Sequence, residues 1–411
     1  MAQATRTFVG LDIGTTKINC IIADQNSSGE LRVVGVGNAP SEGLRRGVVV
    51  DLEKTVTSIQ RSVEEAERMA DIDVKGVYAG IAGDHIRSIN SRGVIAVARK
   101  DNEIAAADVE RVVEAAKAIA IPMDREIIHV IPQEFLVDDQ DGIKDPVGMS
   151  GVRLEAEVHI ITGAVTSAKN ICRAIQRVGL KVYDLVLEPL ASAQAVLDDD
   201  ERALGVVLLD IGGGTTDVAV FHEGSIRHTA IIPYGGASVT SDIAIGLRTP
   251  IDKAEAIKLQ FGSALASLVP SEQMLAVAGV GGRTDREISR HVLASMIEPR
   301  MEEIFALANK EVRKNHFAEL LGGGVVLTGG TSLLPGIAEL AEQVFEMPVR
   351  LGTPRGVGGL AENVADPRFS TGVGLVLHAA AQAGGNGIYT DTASARPKAR
   401  FDLWNWFTSR F

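Results

Sequence analysis

A short motif of an aspartate, glycines and threonines occurs twice, and it constrains the fold more than any other feature. One copy is Leu209-Asp210-Ile211-Gly212-Gly213-Gly214-Thr215-Thr216-Asp217, between two apolar runs that predict strands. Because successive glycines let backbone N–H groups approach an anion closely, this turn is suited to cradling phosphates. Asp210 stands where a hard cation bridging those phosphates would be held, usually through water. The structural alternative is a glycine-rich hairpin with a capping aspartate.

The other copy lies near the N-terminus and makes that alternative much weaker. There a strand, Asp12-Ile13-Gly14-Thr15-Thr16-Lys17 and a second strand follow in the same order. Two copies half a chain apart indicate an internal duplication, with one loop closing on the phosphates from each side. The chain contains no P-loop motif, and no G-x-G-x-x-G follows a predicted strand. A nucleotide with magnesium is therefore the expected ligand.

Composition and length agree with two domains in a soluble protein. The chain has 411 residues, more than one hydrophobic core usually serves. With 45% hydrophobic and 23% charged residues, its composition is that of an ordinary globular protein. Its formal charge of −12 argues against a general nucleic-acid binder. The two cysteines, Cys20 and Cys172, form no metal or disulfide pattern, which favours a reducing cytosol. Asp12 interrupts any N-terminal signal sequence and no run of 18 apolar residues occurs, so we expect neither secretion nor a membrane span.

The order of predicted elements suggests an α/β domain with an insertion. Residues 6–38 predict a strand meander, and apolar spacing predicts a helix at about 51–70. From 84 to 161 the pattern changes to short segments of alternating apolar and polar residues, typical of strands, around a predicted helix at about 105–119. This change suggests a small separate subdomain.

Three polar features of this insert have ordinary structural explanations. His129 and His159 sit within predicted strands and are expected to be satisfied histidines rather than ligands. The carboxylates at 138–141 could bind a cation, but a solvated loop is the favoured interpretation.

Further candidate site residues follow predicted strands. Glu188 comes directly after a strand at 181–187, where it either complements a helix dipole or orients a water near the γ-phosphate. Glu255 and Lys258 lie three residues apart on a predicted helix, a spacing that usually means a modest ion pair. The pairs Gly235-Gly236 and Gly329-Gly330 end two other strands, and backbone bared by glycines suits close approach of a purine ring.

Together these motifs resemble the actin, Hsp70 and sugar-kinase ATPase superfamily. Within it, Ile131-Pro132-Gln133-Glu134-Phe135, the stretch 142–149 and Arg153-Leu154-Glu155 are similar to the FtsA family of bacterial cell-division proteins, and the resemblance covers nearly the whole chain. It implies an α/β, actin-like fold, with two duplicated RNase H-like α/β domains around an ATP cleft and an FtsA-type inserted subdomain. The implied division is a first domain at 1–83, 162–203 and 370–383, the insert at 84–161, a second domain at 204–236 and 321–369 with its own subdomain at 237–320, a flexible linker at 384–397 and an amphipathic membrane-targeting helix at 398–411.

The resemblance also implies roles for individual residues. Asp12 and Asp210 would flank the magnesium, and Glu188 would position the attacking water, with Asp210 as the second catalytic residue. Nucleotide would be held by Gly14, Thr15, Thr16, Lys17, Gly212, Gly213, Gly214, Thr215, Thr216, Gly235, Gly236, Glu255, Lys258, Gly329, Gly330 and Thr331. The implied protein is primarily a structural adaptor and at most a slow ATPase.

The C-terminal residues predict a binding role independently of any family. A stretch rich in Gly, Ser, Thr and Ala at 384–398 is typical of a flexible tether. Beyond it lie five aromatic residues, including both tryptophans of the chain, and Arg400 and Arg410 flank them. An interfacial membrane helix is the favoured interpretation, against a helix that docks on a partner or on the protein itself. Its membrane-facing residues would be Phe401, Leu403, Trp404, Trp406, Phe407 and Phe411.

Two classes of function are compatible with these features. One is an ATP-binding, self-polymerising adaptor that ties the FtsZ ring to the cytoplasmic face of the inner membrane at the division septum. The resemblance implies as its partners the FtsZ C-terminal tail, further copies of itself, an anionic membrane surface and other division proteins. The other is a small-molecule kinase of the same superfamily, for which only Glu188 offers a candidate base.

A candidate contact for the FtsZ tail lies in the second domain. Arg283, Arg286 and Arg290 stand at helical spacing at the start of a predicted helical stretch, 285–315. The resemblance implies that the FtsZ tail docks at the tip of this domain. A solvated helix face is the structural alternative.

Overall fold

The structure is a computed structural model that describes residues 6–98, 101–279, 285–314 and 317–384. Numbered along the chain, the strands are β1 (Arg6–Ile13), β2 (Lys17–Gln25), β3 (Leu31–Pro40), β4 (Leu44–Arg45), β5 (Val48–Val49), β6 (Gly76–Ile81), β7 (Arg87–Ala96), β8 (Arg125–Val137), β9 (Gln140–Ile143), β10 (Arg153–Ala164), β11 (Lys181–Leu187), β12 (Val206–Ile211), β13 (Thr216–His222), β14 (Ser225–Ile232), β15 (Met274–Val277), β16 (Arg286–Ser289), β17 (Val325–Thr328), β18 (Val349–Leu351) and β19 (Gly358–Gly359). The α-helices are α1 (Leu52–Ala70), α2 (Ala106–Ala116), α3 (Val165–Arg177), α4 (Glu188–Val196), α5 (Asp199–Leu204), α6 (Gly236–Leu247), α7 (Ile251–Phe261), α8 (Arg290–Lys314), α9 (Ile337–Phe345) and α10 (Ser370–Gly384).

The first lobe is built on a six-stranded sheet in the order β11-β6-β1-β2-β3-β19. Its first three strands form the predicted antiparallel meander, and β6 and β11 continue the sheet in parallel. Helix α1 begins after Asp51, whose side chain accepts a hydrogen bond from the Lys54 amide at 3.2 Å. It can lie directly on β3 because glycines at 35 and 37 leave room for its backbone.

The second lobe repeats this arrangement. Its five-stranded sheet runs β14-β13-β12-β17-β18, so an antiparallel meander is again extended by two parallel strands. In each lobe the Asp-Ile-Gly motif occupies the first hairpin of the meander, between β1 and β2 or between β12 and β13. The duplication predicted from the two motifs is therefore confirmed by strand order.

Helices α4 and α10, which are far apart in the sequence, pack against each other between the two sheets. Alternate residues of β12 enter different cores: Val206 and Leu208 face the first lobe, whereas Val207 and Leu209 face the helices of the second. Helix α10 crosses α4 so closely that a side chain on Gly374 would collide with the backbone carbonyl of Ala191. The helix that begins at Glu188 is thereby locked against the last described helix of the chain.

The insert has its own sheet, in the order β7-β10-β8-β9, and its own small core under α2. His159 is fully buried there, and its ring nitrogens lie 2.5 Å from Asn90 Oδ1 and 3.0 Å from Thr229 Oγ1, so it is the satisfied histidine that the sequence predicts. Asp138 caps a turn by accepting hydrogen bonds from the amides of Val152 and Arg153 at 3.1 and 2.9 Å. Within the described ranges, no cluster of three metal-binding side chains occurs, at 138–141 or elsewhere.

Candidate functional site

The two phosphate-type loops meet directly. A Cβ on Gly214 would lie 2.5 Å from Thr15 Oγ1, and one on Gly213 would lie 2.6 Å from Thr16 Oγ1. Only glycine permits this approach, which explains the glycines of the second loop better than turn formation does. Each hairpin thus presents its backbone to the same space, as the duplicated motif predicts.

That space is a narrow cleft between the two loops, with about 560 Å³ of empty volume when its open mouth is included. Of the predicted site residues, Asp12, Gly14, Thr15, Thr16, Lys17, Glu188, Asp210, Gly212, Gly213, Gly214, Thr215, Gly329 and Gly330 line it. It is also lined by Ile13, Gly47, Ala82, Asp217, Pro367, Arg368 and Thr371, which the sequence analysis did not assign.

The remaining predicted residues lie behind the second loop instead of lining this cleft. The Gly236 amide and Thr331 Oγ1 both donate to the Gly212 carbonyl, each at 2.9 Å. Lys258 donates to the Gly236 carbonyl at 3.1 Å and pairs with Glu255 at 2.8 Å. Thr216 donates to the carbonyl of Tyr234, which precedes the glycine pair Gly235-Gly236, at 2.9 Å. The ion pair expected at 255 and 258 is present, and it braces the second loop from behind.

Four carboxylates face the cleft, and one lysine lies among them: Asp12, Asp210 and Asp217 are buried, and Glu188 is half-buried. Burial raises the pKa of Asp12 to about 6, with Lys17 opposing and Asp210 adding to the rise. Burial likewise raises the pKa of Glu188 and of Asp217 well above the ordinary carboxyl value, and the neighbouring carboxylates act in the same direction. The site therefore holds more negative charge than its own cation can balance.

Lys17 lines the cleft and also contacts the segment that precedes α10. Its Nζ donates to the Arg368 carbonyl and lies 5.3 Å from the centre of the Phe369 ring. Burial lowers the pKa of Lys17, while Asp12 and Asp210 raise it. In this conformation the lysine ties the first loop to the segment that precedes α10.

Asp210 is held by hydroxyl donors. Ser192 Oγ donates to Asp210 Oδ2 at 2.6 Å, and Thr371 Oγ1 does so at 3.3 Å. These hydrogen bonds lower the pKa of Asp210, against burial, which raises it. Gly329 has a φ of 83° and sits against this carboxylate and the Ile211 carbonyl, a position that a side chain would strain.

The cleft fits a nucleotide with a divalent cation. Two glycine loops supply phosphate-binding backbone, and surplus carboxylates supply the charge that a cation needs. Asp217 Oδ1 is buried and has no hydrogen-bond partner, which marks it as an acceptor available to a ligand. Since no three carboxylates in the described ranges are close enough to enclose an ion, the fit is to magnesium held mainly by water and phosphate.

Asp217 is the functional residue that the sequence analysis missed. It belongs to β13 and lies directly opposite Asp210 in the β12–β13 register. Like charges directly across a hairpin are unfavourable, so a cation would be a favourable ligand beside these two strands. The segment at 366–371 carried no such signal, because its place at the cleft depends on the packing of α10.

The prediction for the partner-binding arginines is wrong in its local structure. Arg286 lies on β16, paired with β15, and α8 begins only at Arg290. Arg286 donates to the Leu247 carbonyl, and Arg290 Nε donates to the Phe261 carbonyl at 2.8 Å. Arg283 lies outside the described residues. The two described arginines therefore share no helix face, although both belong to the same small subdomain.

The C-terminal tether and the predicted membrane residues Phe401, Leu403, Trp404, Trp406, Phe407 and Phe411 also lie outside the described residues. Among the described helices, none combines the length and the apolar composition that crossing a bilayer requires.

Two lobes of matching strand order around a cleft define an actin-like ATPase fold. The PilM-PilN type IV pilus biogenesis complex contains a chain of this fold, with a TM-score of 0.67, 16% identity and coverage of 91% of this chain and 98% of that one. MreB5 of Spiroplasma citri bound to ADP is also similar, with a TM-score of 0.57, 14% identity and coverage of 93% and 99%.

The family is shown by sequence. The model "Cell division protein FtsA" matches residues 207–374, and "SHS2 domain inserted in FTSA" matches 83–162. The FtsA protein of Pseudomonas aeruginosa is 50% identical to this chain, and the match covers 92% of this chain and 90% of that protein. The FtsA protein of Escherichia coli is 43% identical, and the match covers 92% of this chain and 91% of that protein. That of Bacillus subtilis is 40% identical, covering 90% of this chain and 83% of its own. The chain belongs to the FtsA family of actin-like cell-division proteins, which supports the cell-division role over the kinase alternative.

The carboxylate surplus predicts a pH-dependent gain in stability for Asp217→Asn. A carboxyl group with a raised pKa binds more protons when folded, so its contribution to stability falls as pH rises through the folded pKa. Without a divalent cation, variant and wild type should be about equally stable only below about pH 4, where this carboxyl is protonated in both the folded and the unfolded state. Near pH 8 the variant should be more stable, by roughly 1.4 kcal/mol for each unit by which the pKa is raised.

Chemical denaturation in EDTA across this pH range measures the effect. Asp139→Asn, at a fully exposed position on the insert, is the matched control and should show no such trend. A variant of Asp217 that is destabilised equally at every pH would contradict the assignment of surplus charge.

Proposed function

We propose that this protein binds ATP with Mg²⁺, assembles into actin-like filaments and anchors the FtsZ ring to the cytoplasmic face of the membrane at the division septum. The observation that carries the proposal is the cleft lined by two facing glycine loops and four carboxylates, in a chain of the FtsA family. The similar MreB5 chain has ADP bound, which supports nucleotide as the ligand here. The membrane-bound filament would also recruit later division proteins.

In this proposal the chain's own residues divide the work. The backbone of residues 14–16 and 212–215 would bind the phosphates, and Asp12, Asp210 and Asp217 would hold the hydrated cation. Glu188, whose carboxylate packs over Gly80 at the cleft, would orient a water. Burial raises the pKa of Glu188, which makes its carboxylate a stronger base. The cation would neutralise charge on the phosphates.

Asp210→Ala should weaken binding of Mg-ATP by about tenfold or more, because a hydrogen-bonded charge that positions the cation is lost. The fold should persist, since Ser192 and Thr371 can bond to each other, their oxygens being 3.0 Å apart. Titration with a fluorescent ATP analogue measures the effect. Asp139→Asn again serves as the control, and unchanged affinity in a folded Asp210→Ala protein would contradict the site.

We further propose that the FtsZ tail docks near Arg286 and Arg290. The same hairpin exposes Met274, which pairs with Ser289, and Val292 follows on α8, so basic and apolar surface lie together. Charged and apolar groups side by side are what a short peptide needs for both steering and burial.

Arg286→Gln and Arg290→Gln together should lower affinity for an FtsZ tail peptide by about tenfold, through loss of two partly exposed charges. Glutamine keeps a donor for the Leu247 and Phe261 carbonyls, so the fold should be retained. Fluorescence anisotropy with labelled peptide tests this, and Mg-ATP affinity is the internal control. Unchanged peptide binding would place the docking site elsewhere.

The membrane proposal depends on the C-terminal aromatic residues. Each large apolar side chain contributes on the order of 1.5–3 kcal/mol when fully buried, but an interfacial helix buries its side chains only partly. One tail is then a weak anchor. Many tails on one filament multiply binding by about 10²-fold without any new contact.

Truncation before Arg396, or Trp404→Glu, should release the protein from anionic vesicles in cosedimentation. A polymerisation-defective variant with an intact tail should bind markedly less than wild type, because it lacks avidity. If the truncated chain still pellets, the tail is not the anchor. If monomeric and polymerising forms bind alike, assembly and attachment are not linked.

A further inference from the structure

The strand that leads into Glu188 lies at an open edge of its sheet. Strand β11 is the outermost strand of the first-lobe sheet, and Leu187 is its last residue. An edge strand has backbone N–H groups that no neighbouring strand satisfies. The fully buried Leu187 amide is satisfied by the insert: it donates to His129 Nε2 at 2.9 Å.

The accepting nitrogen requires a neutral imidazole. Because the amide donates, Nε2 carries no proton. Burial lowers the pKa of His129 to about 4, against Asp184, while His378 adds to the decrease. These are the titratable groups that face the ring, and they leave it neutral at physiological pH.

The insert that carries His129 also caps the open edge of the second sheet. Strand β14 is the outermost strand there, and Gln133, on the same strand as His129, donates to the Ile226 carbonyl at 2.7 Å. Ser88 Oγ donates to the Thr229 carbonyl at 2.8 Å. Strand β8 therefore contacts both lobes: Gln133 binds the second lobe at Ile226, and His129 binds the first lobe at Leu187.

Both capped strands lead to residues of the proposed nucleotide site, β11 at the cleft itself and β14 behind its second loop. Strand β11 leads to Glu188, and β14 leads to Tyr234 and the glycine pair behind the second loop. A change in the position of β8 would move the backbone of Leu187, and with it the first residue of α4.

We propose that His129 is a positioning residue for Glu188: by holding the Leu187 backbone, the insert sets where the Glu188 carboxylate stands relative to the terminal phosphate. The inference rests on the proposed nucleotide function and deepens it. It makes the insert part of the machinery that distinguishes ATP from ADP, rather than only a platform on the first lobe.

The test compares the affinity of the full chain for Mg-ADP and for a non-hydrolysable Mg-ATP analogue. His129→Leu, which removes the acceptor, should reduce the preference for the ATP analogue by about tenfold while leaving ADP affinity within about twofold. His129→Gln, which can still accept from Leu187, should restore the preference. Glu188→Gln should reproduce the loss, and the double variant should be no worse than either single one.

Val112→Ala is the matched control, because Val112 lies in the insert's own core and its loss loosens the insert without touching either lobe contact. If His129→Leu fails to fold, His129→Asn replaces it, since its shorter side chain cannot reach the Leu187 amide. Equal loss of ADP and ATP-analogue affinity, or the same loss in Val112→Ala, would overturn the inference. A wild-type chain that binds neither nucleotide would overturn the proposed function, and this inference with it.

Discussion

The electrostatics of the structure are dominated by an excess of carboxylates over basic side chains at the cleft between its two lobes. Four carboxylates from both lobes lie around one lysine, three of them are buried, and that lysine donates to the Arg368 carbonyl. Burying like charges is unfavourable, and hydrophobic packing elsewhere must offset the cost. A ligand that brings positive charge removes this penalty and at the same time contacts loops from both halves. The imbalance therefore makes the stability of the contacts between the two lobes depend on what occupies the cleft.

The hairpins, the duplication and the insert could all be predicted from the sequence because they rest on local patterns. Alternating apolar runs around Asp12 and Asp210 define hairpins whatever the rest of the chain does. The prediction that Arg286 and Arg290 share one helix was wrong for the opposite reason. Their arginines repeat at helical spacing, yet Arg286–Ser289 pairs with Met274–Val277, and such a non-local pairing leaves no trace in spacing alone.

The sequence predicts the two glycine loops of the site. It does not predict the residues that distant segments bring to the same cleft. Asp217 belongs to the motif, but only the register of β12 and β13 shows that it lies directly opposite Asp210. Thr371 and Arg368 reach the cleft only through the packing of α10 on α4, where Gly374 meets Ala191. The contact of His129 with Leu187 likewise joins two sheets, and no periodicity in either segment encodes it.

The chain order of the first lobe has a consequence for synthesis. Its sheet begins at residue 6, yet its last strand is Gly358–Gly359, and α10 lies so close to β1 that Gly10 abuts the Gly372 carbonyl. The second lobe's sheet, by contrast, is complete by Leu351. As the polypeptide leaves the ribosome, the N-terminal sheet must keep an apolar face uncovered until nearly the whole chain has emerged. The half that is translated first is thus the half that finishes folding last, and any segment beyond residue 384 leaves the ribosome just after the helix that completes this lobe.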